Sequence, residues 1–187
     1  MADLSAYDQI PDLPGETYSG PHVLARLVDG LSFRYRWASH GLRVDDLAFT
    51  PGEGSMTLGE LLDHLRFLAR WLHTNVAAAR SGSEPVVYPA ACDGLPDPSG
   101  DPTAYMVQTL EALAALRADF AAMSEAELAS ITFIGGREPT AFPAWNMLNG
   151  PLADALTHVG QLASWRRSAG NPVVRHDVFR GRPPRAP

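Results

Sequence analysis

Thr57-Leu58-Gly59-Glu60-Leu61-Leu62-Asp63-His64-Leu65-Arg66-Phe67-Leu68 reads as the opening of an amphipathic helix. Thr57 followed three residues later by Glu60 is a capping box, in which each side chain satisfies the other residue's backbone N–H. Met56 before the box and Leu61 after it stand where a hydrophobic staple would fix the entering chain. Leu61, Leu65, Leu68 and Leu72 recur at three- and four-residue steps, so one face is made for a core. The pattern runs to about Ala79, a helix on the order of 30 Å long. His64 lies on the apolar face among these leucines and should point inward, where a buried imidazole needs a partner.

Upstream, Val23, Leu24, Leu27, Val28, Leu31 and Ala38 predict a helix over 21–39, with Pro21 in its first turn and Gly41 at its exit. Downstream, residues 81–101 turn to Pro, Gly, Ser and Asp, too long and too broken for a simple helix hairpin, and read as a crossover loop. Asp101 caps a third helix, Pro102 takes its first turn, and Met106, Val107, Leu110, Leu113, Leu116, Phe120 and Met123 form its stripe. Ile131 to Ile134 before Gly135-Gly136 suggests a short hairpin arm, with Pro139 restricting any partner to an edge strand. A fourth helix is expected from Pro151 to Ser168, capped by Asn149 and stopped by Gly170 and Pro172, with helical structure starting as early as Pro143. The expectation is an all-α chain: a four-helix bundle with a long crossover connection between helices two and three. Its core spans about 21–172 of a single domain over 1–187.

All 15 basic residues are Arg, and the chain has no Lys. That excludes Schiff-base enzymes, the phosphate-binding GxxxxGK[ST] loop, the kinase lysine and Ser-x-x-Lys hydrolases. A net charge of -6 disfavours nucleic acid as a partner. The charge is uneven. Asp3, Asp8, Asp12 and Glu16 make an acidic N-terminal arm, while Arg166, Arg167, Arg175, Arg180, Arg182 and Arg185 face only Asp177 in the tail. These arms either lie solvated or dock on each other or on a neighbouring subunit. The first residues lack a basic and an apolar leader segment, and no apolar run approaches the ~20 residues that span a bilayer, so a soluble cytoplasmic protein without membrane contact is expected. Cys92 has no cysteine partner and no basic neighbour in sequence to activate its thiol.

On the fourth helix Asp154 and His158 are four residues apart, about 40° on the helical wheel, so their side chains stack on one face. Two readings stand side by side: a plain hydrogen bond or ion pair, or two metal ligands converging as i and i+4 residues do in H-E-x-x-H sites. With His64 they would make a site of two imidazoles and one carboxylate between facing helices. His64 alone reads first as a core histidine with a polar partner and only second as a ligand.

Gly52-Glu53-Gly54-Ser55-Met56-Thr57-Leu58-Gly59-Glu60-Leu61-Leu62-Asp63-His64 and Asn149-Gly150-Pro151-Leu152-Ala153-Asp154-Ala155-Leu156-Thr157-His158-Val159-Gly160-Gln161, continuing to Arg167, resemble the DinB-like family of bacterial metalloproteins. The element order is similar over roughly 21–172. The resemblance implies a four-helix bundle, often dimeric, that binds a divalent metal through one His of helix two and an H-x-x-x-H pair followed by Gly-Gln on the last helix. Carried over, His64 and His158 keep their places, while Asp154 stands where the family has the first His of the pair. Gln161 and Trp165 would contact the ligand or cofactor. The implied metal is zinc or nickel, with iron or manganese also compatible. Because the family includes enzymes acting on low-molecular-weight thiols, the implied function is a metal-dependent S-transferase joining such a thiol to a small electrophile. A metal-dependent hydrolase is the neighbouring reading, and a non-catalytic metal-binding or structural bundle the contrasting one. A homodimer is implied by the same likeness.

The remaining candidates have plainer roles. His73, nine residues past His64 and about 180° around the helix, should face solvent. His22, His40 and His176 fall near helix ends or in the tail. Trp71 and Trp165 fit inward faces, Trp145 and Asn146 could rim a pocket, and loop 81–101 could cover its mouth. Arg166 or Arg167 could pair with a carboxylate-bearing thiol or stay solvent-exposed.

Overall fold

The computed structural model describes residues 4–11, 18–86, 97–135 and 140–184. The described chain is predominantly helical, with one small two-stranded sheet. Its helices are α1 (Gly20–Ser39), α2 (Leu58–Ser81), α3 (Pro102–Ala121), α4 (Glu125–Ser130) and α5 (Ala153–Ser168). α3 packs against both α1 and α2, and α5 touches the same two helices. No described helix is long and apolar enough to cross a membrane.

Helices α1 to α4 each start on a side-chain cap. The Thr57–Glu60 capping box of α2 forms, with Glu60 N donating to Thr57 Oγ1 at 3.2 Å and Thr57 N donating to Glu60 Oε2 at 2.7 Å. Asp101 caps α3 by accepting from Thr103 N at 2.8 Å. Ser19 caps α1, accepting from His22 N and lying 2.9 Å from the His22 ring. The stripes then meet. Val28, Leu31, Leu61, Leu65, Leu72, Leu110, Leu113, Leu116 and Leu162 are buried in one core. Val23 departs from the expected stripe, staying half exposed on the outer side of α1.

α4 was not expected; its signal is a second capping box, Ser124 with Glu127, on a helix too short for periodicity to show. The hairpin arm is real: β1 (Thr132–Gly135) pairs antiparallel with β2 (Thr140–Pro143), Phe133 opposite Phe142. Gly135 is needed there because a Cβ would come within 3.0 Å of the Trp71 ring. Pro139 lies outside the described residues. The expected early helix at Pro143 is corrected, because that segment is β2 and helical geometry begins only at Asn146. The entry to α5 is also corrected. Asn149 is not a cap but part of a π-type turn, Leu148–Leu152, kinked at Gly150 (φ -99°, ψ -115°), and α5 has no side-chain cap. Pro151, which carries no N–H, sits in that turn where a donor is not required. Cys92 and residues 87–96 of the long connection lie outside the described residues; α2 and α3, which it joins, are direct neighbours.

Arg166 overturns the expectation of an exposed or thiol-pairing arginine. It is 2% exposed. Its Nη1 donates to the carbonyls of Ala38 (2.7 Å) and His40 (2.8 Å), its Nε to Asn171 O (3.0 Å) and its Nη2 to Asn171 Oδ1 (3.0 Å). Asn171 in turn donates to Gly41 O and to buried Asp46. Asp46 also accepts from Arg43, whose guanidinium holds the carboxyl down at about 2 against an ordinary 3.8. This network ties the end of α1, the short 3-10 turn Val44–Ala48 and the end of α5. Arg167 stays exposed.

The terminal arms dock on each other through backbone hydrogen bonds and Arg182. Ile10 N donates to Gly181 O at 2.8 Å and Arg182 Nη1 to Ile10 O at 3.1 Å, while Asp8 pairs with Arg36 of α1. Gly181, at φ +62°, leaves no room for a Cβ beside Ile10. His176 of the tail stacks on Trp37, and His40 caps the end of α1.

Asp46 gives this network a pH signature. A folded-state carboxyl held below its unfolded value contributes stability that is complete above about pH 4 and is lost as the pH falls towards 2. Asp46→Asn should therefore cost about 2 kcal/mol at neutral pH and flatten the acid limb between about pH 4 and pH 2, read by urea unfolding across that range.

Candidate metal centre

α2 delivers His64 one turn beyond its capping box, between buried Leu61, Leu65 and Leu68. α5 delivers Asp154 in its first turn and His158 one turn later. The three expected ligands come together. Asp154 Oδ2 lies 3.0 Å from His64 Nε2, and Asp154 Oδ1 lies 3.3 Å from His158 Nε2. The two imidazoles meet edge to face, 4.7 Å between centroids. One ligand atom from each residue lies within 4.8 Å of the others. Ligands of a tetrahedral ion with bonds of about 2.1 Å stand roughly 3.4 Å apart, so the group needs little adjustment to share one. His158 is the most enclosed of the three and Asp154 the most open, at 13% and 46% side-chain exposure.

Gln161, one turn past His158, decides how that ring is presented. Its Oε1 lies 2.6 Å from His158 Nδ1. An amide oxygen only accepts, so Nδ1 carries the hydrogen and a neutral His158 offers a lone pair at Nε2. That lone pair faces a carboxylate oxygen, which also has no hydrogen to give. Two acceptors at 3.3 Å repel unless a positive charge lies between them or on the ring. A divalent cation satisfies this donor set, and imidazole with carboxylate suits zinc, nickel, iron or manganese.

A cleft of 310 Å³ adjoins His64, lined also by Glu60, Asp63, Phe67 and Tyr105. Burial pushes the Tyr105 hydroxyl above its ordinary range, helped by the charge of Asp63. Sequence reading missed this wall. Phe67 could have been placed by its three-residue step from His64, whereas Tyr105 comes from α3 and carries no local signal. Asp63 is engaged by Arg66, which donates to it at 2.6 Å.

Other expected site residues fall elsewhere. Trp165 lies two turns beyond His158, half-buried against the core. Trp71 is a core residue, packed on Phe133 and donating to Val86 O. Trp145 is 71% exposed and lines a separate apolar cavity at the start of α1, which corrects its place as a rim of this site. His73 does face away, but it is not a surface residue. It is wedged between α2 and α3 with Nε2 3.6 Å from Asp119, and burial lowers its proton affinity. α3 packs along that side of α2 more extensively than α5 packs against the helix, which the histidine spacing could not reveal.

The chain matches no known protein-family model, no curated protein and no solved structure.

The orientation of His158 has a direct readout. In chelator-treated protein with ¹⁵N-labelled histidine, His158 should show its hydrogen at Nδ1, and Gln161→Leu should abolish that preference while leaving the helical circular dichroism unchanged. An Nε2-protonated His158 in the parent chain would contradict the acceptor role of Gln161.

Proposed function

We propose that residues 1–187 form one DinB-like domain, a four-helix bundle with its long crossover between helices two and three, whose His64, Asp154 and His158 hold a divalent cation, zinc or nickel before iron or manganese. The single observation that carries this reading is the meeting of two imidazole Nε2 atoms at one carboxylate, with His158 turned lone pair first by Gln161. The packing of α3 and α5 on either side of α1 and α2 supports the bundle, and the sequence motifs around His64 and His158 support the family.

When bound, such a cation supplies Lewis acidity, favouring the deprotonated form of a thiol or water brought against it. The chain's own groups do the rest. His64 and His158 hold their rings at right angles from two helices, leaving the exposed side of Asp154 open to a ligand. Gln161 keeps the His158 ring from turning. Phe67 and Tyr105 give the cleft beside His64 an apolar wall for the body of a small molecule. The reaction we assign is S-transfer, in which the sulfur of a low-molecular-weight thiol bonds to an electrophilic carbon, the leaving group departs with its electron pair, and the thiol proton passes to solvent. Hydrolysis is the second reading, favoured by the exposure of Asp154, which leaves the ligand position wet. By the same resemblance the protein is a homodimer, and its sequence pattern fits the cytoplasm.

Protein purified without chelator should carry close to one equivalent of a transition metal by elemental analysis, and His64→Ala and His158→Ala should each lose it. Gln161→Leu should weaken metal affinity about 10- to 100-fold. Less than a tenth of an equivalent in the parent protein would overturn the metal reading. Metal-dependent consumption of thiol with 1-chloro-2,4-dinitrobenzene is the expected activity. A loaded protein that consumes none across a panel of thiols and electrophiles would be a metal holder and not a transferase.

A further inference from the structure

On the side of α5 away from the histidines, α1, α5 and the C-terminal tail enclose an open groove of 720 Å³. Gly160 lies two residues past His158, about 200° around the helix, so this groove and the metal centre use opposite faces of α5. Its walls are apolar: Val23 and Leu27 of α1, Leu156 and Ala163 of α5, and Val173 and Val178 of the tail. Its polar groups are all basic or titratable to a cation. Arg26, Arg34 and His176 line it, and among the described residues no carboxylate does. Arg26 is committed to Pro11 O at 2.7 Å, and His176 to Val174 O and the Trp37 ring. Arg34 is exposed, and among the described residues no hydrogen bond or ion pair occupies its guanidinium.

We propose that this groove binds a single-chain amphipathic anion, its apolar chain lying between α1 and α5 and its anionic head on Arg34. The volume falls within the roughly 300–1,000 Å³ of small-molecule sites. The charge pattern selects the occupant. A second copy of the chain docking here across a two-fold axis would set the described basic groups, Arg26, Arg34 and His176, against their own copies, and like charges would meet. An anion with an apolar tail matches both components, and a guanidinium suits a carboxylate head by paired hydrogen bonds. The glycines of the groove fit the same reading, because a Cβ at Gly30 or Gly160 would meet nothing within 4 Å, so their absent side chains keep the channel open and not the fold intact. This inference stands apart from the proposed metal chemistry.

The test is calorimetric titration of the full-length protein with dodecanoate below its micellar concentration, beside dodecyltrimethylammonium as the charge-inverted probe. Dodecanoate should bind one to one and at least tenfold more tightly than the cation. Gly160→Leu, which fills open space at a helical position, should weaken dodecanoate at least tenfold with unchanged circular dichroism and metal content. Arg34→Ala should weaken dodecanoate severalfold and leave the cationic probe unaffected. Equal affinity for the two amphiphiles, or dodecanoate binding indifferent to Gly160→Leu, would overturn the proposal. So would a parent dimer in sedimentation equilibrium that Gly160→Leu converts to monomer, since the groove would then be a self-interface.

Discussion

The guanidinium of Arg166 holds α5 to α1, and the position of the site depends on where α5 is held. A buried arginine is costly to desolvate, and here the cost is offset by carbonyls that need donors in any case. Ala38 and His40 lie at the end of α1, where backbone carbonyls lack helical partners and the helix dipole favours a cation. Asp46 adds an opposite charge close by and partly counters the downward push of burial on Arg166. His158 lies eight residues before Arg166, about 12 Å along the same helix, so the fastening sets both the height and the rotation of the ring relative to α2.

Asp154 gives the triad a property that a third imidazole would not. A carboxylate has two oxygens, and each lies against one imidazole nitrogen, so the group closes on itself. A cation entering it must displace the hydrogen bond between His64 and Asp154, but it relieves the unfavourable encounter of Asp154 with the lone pair of His158. The balance of these terms separates a tightly held metal from a triad that is merely structural. Gln161 bears on that balance, because its amide oxygen on Nδ1 disfavours the neutral tautomer in which His158 would donate to Asp154.

Much of this was legible in the residues and some was not, for identifiable reasons. The capping box at Thr57 and Glu60 and the leucines behind it placed α2, and helical spacing put Asp154 beside His158, because both are local rules. The inward direction of His64 followed from its leucine neighbours. The burial of Arg166 was illegible, since its acceptors on α1 lie more than a hundred residues away in sequence and an arginine in a basic tail looks like any exposed one. The same holds for His73, whose partner Asp119 belongs to another helix. Asn149 misled for a different reason: it is a good cap by type, but the chain there is wound too loosely for a cap to form.

That loose turn has a geometric consequence. A π-type turn carries more residues than a turn of α-helix, so it shifts the phase between the segments on its two sides. With Arg166 anchoring the far end of α5, the azimuth of Asp154 and His158 is set from downstream, and the looser winding at Leu148–Leu152 lies between α5 and the β-hairpin. The azimuth of the triad against α2 is thereby fixed from the Arg166 end of α5 and not from the hairpin end, where the chain enters through a kinked turn.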